Sequence, residues 1–213
     1  MIPEIGQICL VLALCLCASQ AIFTLVGAHT RKTAWMAVGT PATAGQFVFV
    51  AGAFLALAWA FQHDDFSLLY VASNSNTRLP EIYKVAAVWG GHEGSLLLWS
   101  LVLSIWAIAV AALSGGLPTD IRARILGVMG AVNFGLLAFI LFTSNPFVRL
   151  DPVPFDGNDL NPLLQDPAMA LHPPVLYAGY VGFSVAFSFA IAALLAGQVD
   201  SEWARWARPW TAA

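Results

Sequence analysis

Five long apolar segments constrain the fold of this chain more than any other feature of its sequence. A helix needs about 20 predominantly apolar residues to cross the hydrocarbon core of a bilayer. The segments that reach this length cover residues 5–26, 44–61, 96–113, 125–143 and 173–196. A soluble domain carries about 25% charged residues, whereas this chain carries 10%. We therefore predict an all-α, polytopic helical bundle that forms a single membrane domain over residues 1–213.

The distribution of charge between the loops predicts how this bundle sits in the membrane. One set of span ends carries six of the nine basic residues, namely Arg31, Lys32, Arg122, Arg124, Arg205 and Arg208. The other set carries nine of the twelve acidic residues. Because cytoplasmic loops carry the excess of Lys and Arg, we predict that the N-terminus lies outside and the C-terminus inside. The two long loops, residues 62–94 and 144–172, then face the periplasm of a bacterium.

The first apolar segment and the end of the chain support two further expectations. The opening MIPEIGQ has no Lys or Arg, and a cleaved signal peptide needs a positive region there. We therefore expect this segment to be retained as a transmembrane helix, in which the three cysteines are apolar packing residues. The chain closes on RPWTAA, where Arg208 and Trp210 resemble the anchor of a further span. This pattern suggests either a fragment of a longer protein or one subunit of a naturally split protein.

Several classes of chemistry have no support in the sequence. Its histidines and charged residues all lie outside the middle of the predicted spans, whereas a proton or ion relay places such groups inside the bundle. A transporter lines its path with polar groups, and we expect none at mid-depth. No GxSxG, Walker, HExxH or CxxCH motif occurs, and no basic cluster indicates nucleic acid. The long loops remain as the place for a binding surface.

The strongest candidate residue lies where the second long loop meets the last apolar segment. His172 is followed by Pro173 and Pro174. A residue before proline is disfavoured in the α region, and proline is tolerated in the first turn of a helix. We therefore predict a helix over residues 173–196 with His172 at or just outside its N-terminus. Two interpretations remain open: an interfacial histidine that caps the helix, or a neutral, directed imidazole in a site for a flat ligand.

A second candidate group lies in VWGGHEGSLLLWSLVLSIW. His92 is followed seven and fourteen residues later by Trp99 and Trp106, so a continuous helix would place all three on one broad face. Such an aromatic stripe could flank a flat apolar ligand such as a porphyrin. The tryptophans could equally form the aromatic belt of an ordinary membrane protein.

These candidates can be combined into one hypothetical site for a flat ligand at the outer face. For a porphyrin, His172 would supply a neutral imidazole with a fixed direction, Trp89 and Trp99 would cover the macrocycle, and Arg149 or Arg78 would lie at its propionates. The residue types alone do not choose between haem, a quinone and a lipid headgroup.

Three stretches carry a resemblance to a known family: VASNSNTRLPEIYKVAAVWGGHEGSLLLW, ILFTSNPF and GNDLNPLLQDPAMALHPPVLYAGYVGFSVAFSFA. They resemble the N-terminal third of the CcmF/CycK/NrfE family, the haem lyase subunits of bacterial cytochrome c maturation. The opening MIPEIGQ and the closing WARPWT also fit, so the resemblance covers essentially the whole chain. The nitrite-reductase-specific NrfE type has similar motifs, and both types remain open.

The resemblance implies a protein of the bacterial inner membrane that handles haem. Family members accept haem, of b type as delivered, from the chaperone CcmE at the periplasmic face. With CcmH as partner, they join its vinyl groups to the CxxCH thiols of apocytochrome c. The histidine of the family's LHPP motif is an axial ligand of the haem iron, and that position is His172 here. His92, Trp89, Trp99 and Arg149 remain secondary candidates without an implied role.

The resemblance also implies that this chain carries only part of the site. The family's tryptophan-rich WWD segment and its second periplasmic histidine have no counterpart here. We therefore expect the complete protein to be a thioether-forming lyase and this segment alone to be inactive, with no catalytic residue assigned. Besides these proteins, membrane lipid is an expected partner and nucleic acid is not. The alternatives are a component of a haem exporter and a structural scaffold of the assembly complex.

Overall fold

The computed structural model describes residues 1–199 and 201–212, and most of this part of the chain is helical. The helices are α1 (Ile2–Thr30), α2 (Thr33–Met36), α3 (Gly39–Gln62), α4 (Leu69–Asn74), α5 (Glu81–Ala87), α6 (His92–Leu113), α7 (Thr119–Thr143), α8 (Pro167–Ala196) and α9 (Ser201–Thr211). Within the described residues, five helical segments are long and apolar enough to cross a membrane. They contain α1, α3, α6, α7 and α8, which confirms the predicted all-α bundle with five spans.

The five spans pack as a bundle of four helices with α8 on one side. Helix α1 lies between α3 and α7, α6 contacts both α3 and α7, and α8 packs on α6 and α7. One apolar core lies between α1, α3, the loop-bearing ends of α6 and α7 and the long loops, around Leu10, Leu57 and Leu97. A second core lies between α6, α7 and α8, and α9 covers it with Trp203, Trp206 and Trp210. Trp210, which resembled the anchor of a further span, thus packs on the bundle.

The last span begins at Pro167, so the predicted start at Pro173 is wrong. The Asp166 carboxylate accepts hydrogen bonds from the backbone N–H groups of Ala168 and Met169 at 2.9 and 3.1 Å. An acidic N-cap followed by proline is a strong helix start, and it occurs six residues before the predicted one. His172 therefore lies inside the helix, and the two prolines that follow it are interior residues of α8.

Uncharged polar side chains lie in the middle of the bundle, where the sequence analysis expected none. Asn133 of α7 accepts a hydrogen bond from the Ser100 hydroxyl at 2.8 Å and donates one to the Ser104 hydroxyl at 3.1 Å. Gln20 of α1 donates to the Leu126 carbonyl at 2.6 Å. All of these polar side chains are fully buried. They bond across neighbouring helices and stabilise their packing.

The two long loops meet at one end of the bundle and contact each other. The backbone N–H of Leu69 donates to the Val148 carbonyl at 2.9 Å, and that of Leu150 donates to the Ser67 carbonyl at 2.8 Å. Further along, the N–H and hydroxyl groups of Thr77 donate to the Asp156 carboxylate, each at 3.0 Å. These contacts join the loops into one layer above the spans.

We expect the hydrogen bonds between Thr77 and the Asp156 carboxylate to depend on pH. We call this pair of bonds between the two long loops the clasp. The N–H groups of Thr77 and Gly157 donate to the Asp156 carboxylate and lower its pKa. Because the folded pKa is lowered, the stabilisation is present above the ordinary carboxyl pKa of about 3.9 and is lost as pH falls through the folded value. We expect Asp156→Asn to lower the hydrogen-exchange protection factor of the Thr77 amide by roughly threefold at pH 7.

The control for this prediction is Asp151→Asn, which neutralises an exposed carboxylate of the same loop. Its protection factors should equal those of the unmodified protein. The difference between Asp156→Asn and the unmodified protein should also disappear at a pH below the lowered folded pKa. A difference that persists unchanged under such acidic conditions would show that the carboxylate charge does not hold the clasp.

Candidate functional site

His172 lies in the second turn of α8, on the face of the helix that points away from the bundle. Its imidazole is exposed. Residues four, eleven and fifteen positions further along share its face, and they are the exposed apolar residues Leu176, Phe183 and Phe187. The opposite face packs on α6 and α7 through the buried residues Val181, Val185 and Phe189. The described bundle therefore covers only the side of α8 that does not carry His172.

The His172 imidazole is available to an external ligand. It makes no hydrogen bond or ion pair with any residue in the described ranges. Within these ranges, no group of three or more His, Cys, Asp and Glu side chains forms a metal site. A single exposed imidazole above an apolar helix face fits one axial position of a haem iron. It does not fit a complete metal cage.

Trp89 contacts α8 on the side away from His172, so it does not cover a ligand bound there in the way that the sequence suggested. Its indole Nε1–H donates to the Ala170 carbonyl at 2.9 Å. Positions 170 and 172 are separated by about 200° around a helix. Trp89 thus joins the end of the first long loop to the start of α8.

Trp99 and Trp106 pack between α6 and α8. The Trp99 ring centroid lies 5.8 Å from that of Tyr177 and 5.7 Å from that of Tyr180. The Trp106 indole Nε1–H donates to the Ala178 carbonyl at 3.1 Å. These contacts match the packing interpretation of the aromatic stripe.

His92 is the first residue of α6 and contacts α7. Its Nδ1 lies 3.2 Å from the Ser144 hydroxyl, and its ring meets the Phe139 ring edge-on with centroids 6.1 Å apart. Helix α6 is continuous over His92–Leu113, so His92 shares one broad face with Trp99 and Trp106, as predicted. Along this face His92 contacts α7, whereas Trp99 and Trp106 contact α8.

Arg149 is already paired with acidic side chains of the protein. Its guanidinium donates to Glu4 of α1 and lies 3.8 Å from the Asp65 carboxylate. Arg78 lies elsewhere in the loop layer, beside Asp156. The structure therefore gives Arg149 a role in joining the N-terminus to the loops. The hypothetical site is therefore not assembled in this structure: His172, the tryptophans and the arginines each lie at separate positions.

The sequence analysis did not identify Tyr70, which organises the turn before α6. Tyr70 is 3% exposed; its hydroxyl accepts the Gly91 N–H at 2.9 Å and donates to the Val88 carbonyl at 3.1 Å. Burial raises the pKa of this hydroxyl well above its ordinary value. A single tyrosine in the short helix α4 carries no sequence pattern that distinguishes this role, because its partners lie about twenty residues away.

The fold and this site define a polytopic helical membrane protein that presents an exposed histidine at the loop-bearing end of its bundle. The family model described as "Cytochrome C assembly protein" matches residues 89–213. The chain therefore belongs to the cytochrome c assembly protein family.

Individual relatives agree with this assignment and confirm the resemblance to the CcmF/CycK/NrfE family. The chain is 59% identical over 212 residues to the cytochrome c-type biogenesis protein CcmF of Pseudomonas aeruginosa, covering 99% of this chain and 32% of that protein. It is 56% identical to CcmF of Escherichia coli, covering 100% of this chain and 33% of that protein. It is 41% identical to the cytochrome c-type biogenesis protein NrfE of Haemophilus influenzae, covering 99% of this chain and 33% of that protein.

A solved structure shows the same fold. The structure named "Cytochrome c Heme Lyase CcmF" superposes with a TM-score of 0.86 at 25% sequence identity, covering 99% of this chain and 33% of that chain. The present chain thus spans about one third of the length of the proteins it matches.

Proposed function

We propose that this chain forms part of the haem-receiving site of a cytochrome c haem lyase, with His172 as one axial ligand of the haem iron. The observation that carries this proposal is the exposed, unbonded imidazole above an apolar face of α8. Similarity to proteins named for cytochrome c-type biogenesis and haem lyase activity supports it. The haem would be of b type and would come from the chaperone CcmE at the periplasmic side of the inner membrane.

The chemistry proposed for the complete protein is addition of a thiol across each haem vinyl group. In this step a carbon–sulfur bond forms at one vinyl carbon and a hydrogen is placed on the other, so the CxxCH thiols of apocytochrome c must be reduced. His172 would hold the substrate through its iron and orient the vinyl edges toward the thiols. Such catalysis rests on positioning, because the reactive groups belong to the haem and the apocytochrome.

The exposed side of α8 indicates where the rest of the site would lie. The described bundle leaves the His172 face open, so the second axial ligand and the cover of the macrocycle would come from the other two thirds of a longer protein or from a partner. CcmH and apocytochrome c are the partners that the resemblance suggests. In this arrangement the loop layer faces the periplasm.

His172→Ala in the complete protein tests this proposal. We expect the variant to insert normally but to lose the haem absorption that the unmodified protein acquires only when CcmE is co-expressed. Cytochrome c assembly should fall by at least about tenfold, because an axial ligand is removed. The measurement is a difference spectrum with the haem acquired without the chaperone subtracted.

Two histidine variants from the same end of the bundle serve as controls. His63 is exposed, stacks on Trp59 with centroids 4.1 Å apart and bonds the Trp59 carbonyl, so His63→Ala should retain the chaperone-dependent haem. His92→Ala tests the secondary candidate and should also retain it. Unchanged haem content and band positions in His172→Ala would reject the proposed ligand and favour a scaffold role for this part of the protein.

A further inference from the structure

The turn of α8 that carries His172 lacks two consecutive helical hydrogen bonds. In an α-helix the N–H of each residue donates to the carbonyl four residues earlier. Proline has no N–H, so Pro173 and Pro174 leave the carbonyls of Met169 and Ala170 without their helical donors. Two bonds that would join the first turns of α8 to the rest of the helix are thus missing.

The indole of Trp89 supplies the donor that Pro174 does not provide. Its Nε1–H lies 2.9 Å from the Ala170 oxygen, although the two residues are 81 positions apart in the sequence. Trp89 is half-buried and lies two residues after the end of α5, within the turn that the Tyr70 hydroxyl holds through Val88 and Gly91. The donor therefore comes from a well-anchored part of the first long loop.

Apolar packing around this turn is sparse. A cavity of about 250 Å³ lies between α5 and the start of α8, lined by Ile82, Val85, Trp89, Pro167 and Leu171 among others. Leu171 is 64% exposed, and Met169 is 43% exposed. Segments with few buried apolar contacts open most easily. The Trp89 bond is therefore a large part of what holds this turn against the bundle.

We propose that Trp89 is a positioning residue for the haem site, which holds the His172 turn of α8 through the carbonyl that Pro174 leaves free. This role rests on the proposed function in that His172 is the haem ligand. The bond itself is independent of haem, so the two parts can be tested separately.

Trp106 provides a matched control. Its indole also donates to a main-chain carbonyl of α8, that of Ala178, at 3.1 Å. Residue 182 is glycine and has an N–H, so the Ala178 carbonyl keeps its helical donor when the indole is removed. Both Trp89→Phe and Trp106→Phe retain an aromatic ring, but only Trp89→Phe leaves a carbonyl without a donor.

The first experiment is hydrogen exchange of the haem-free complete protein in lipid nanodiscs. We expect Trp89→Phe to speed exchange of residues 168–172 by about five- to tenfold, the effect of one lost hydrogen bond on local opening. Trp106→Phe should leave this segment unchanged. Pro174→Ala restores an N–H at position 174, so Trp89→Phe/Pro174→Ala should return exchange to that of the unmodified protein. Equal exchange in Trp89→Phe and the unmodified protein would overturn the proposal.

The second experiment is haem capture from the chaperone by the same variants. We expect Trp89→Phe to retain about five times less haem than the unmodified protein and to show a shifted absorption band, with recovery in the double variant. If Trp89→Phe exchanges faster but captures haem normally, while His172→Ala loses haem, the positioning role is rejected and the proposed function stands. If Trp89→Phe exchanges faster but His172→Ala still binds a normal amount of haem, the proposed function is rejected, and the positioning role with it.

Discussion

The Gly94→Ala variant is expected to lose the folded arrangement at the loop-bearing end of the bundle. A Cβ atom at Gly94 would lie 1.7 Å from the Val88 carbonyl oxygen and 2.6 Å from the Tyr70 hydroxyl. The Val88 carbonyl is backbone and accepts the Tyr70 hydrogen bond, so relief of the clash must break the turn. Overpacking alone costs about 1–3 kcal/mol, and each buried hydrogen bond that is lost adds about 1–3 kcal/mol.

The expected result is that Gly94→Ala yields little monodisperse protein, or protein whose thermal midpoint lies well below that of the unmodified protein. Size-exclusion chromatography and a thermal unfolding scan measure this. Gly179→Ala is the matched control, because a Cβ atom at Gly179 meets nothing within 4 Å and alanine favours a helix by about 1 kcal/mol over glycine. Equal thermal midpoints for Gly94→Ala and Gly179→Ala would contradict the prediction.

Lys84→Met is expected to cause the second large loss of stability. The Lys84 side chain is 8% exposed and Asp64 is 24% exposed, and the Lys84 Nζ donates to the Asp64 carboxylate at 2.6 Å. Removal of one partner leaves an uncompensated charge, which costs about 3–5 kcal/mol in a fully buried pair. Because Asp64 retains some solvent, we expect a decrease of about 2–4 kcal/mol in the free energy of unfolding. Chemical denaturation with and without the substitution measures it.

Two further variants show whether the unpaired charge is the cause. Asp64 has a positive φ of 51°, a conformation that asparagine tolerates, so Lys84→Met/Asp64→Asn should recover part of the lost stability. Arg205→Gln removes one partner of an exposed pair with Glu202, with side chains 71% and 59% exposed, and should cost less than about 1 kcal/mol. A double variant that is no more stable than Lys84→Met would show that the charge is unimportant.

The five spans could be predicted from the sequence because the bilayer imposes one dominant requirement. Backbone polar groups in lipid must be satisfied internally, so a long apolar segment has to be a helix. Hydropathy therefore located α1, α3, α6, α7 and α8 without information about their contacts. Polar residues at the helix ends lie outside this requirement, which is why the helices extend beyond the apolar windows.

The start of α8 could not be resolved in the same way. Asp166–Pro167 and His172–Pro173 are both plausible helix starts by local rules. The first of them prevails because Asp166 bonds two N–H groups of the first turn. The later prolines lie inside the helix, and Trp89 supplies a donor to the Ala170 carbonyl that Pro174 leaves free.

Hydropathy and local motifs were enough to predict a helical membrane protein of five spans and to identify His172 as the strongest candidate ligand. The packing of the helices establishes which face of α8 carries that histidine outward, because the packed face depends on contacts with α6 and α7. The tertiary fold also establishes that Arg149 pairs with Glu4 and that Trp89 bonds α8. Such contacts join residues more than 80 positions apart, and no local periodicity encodes them.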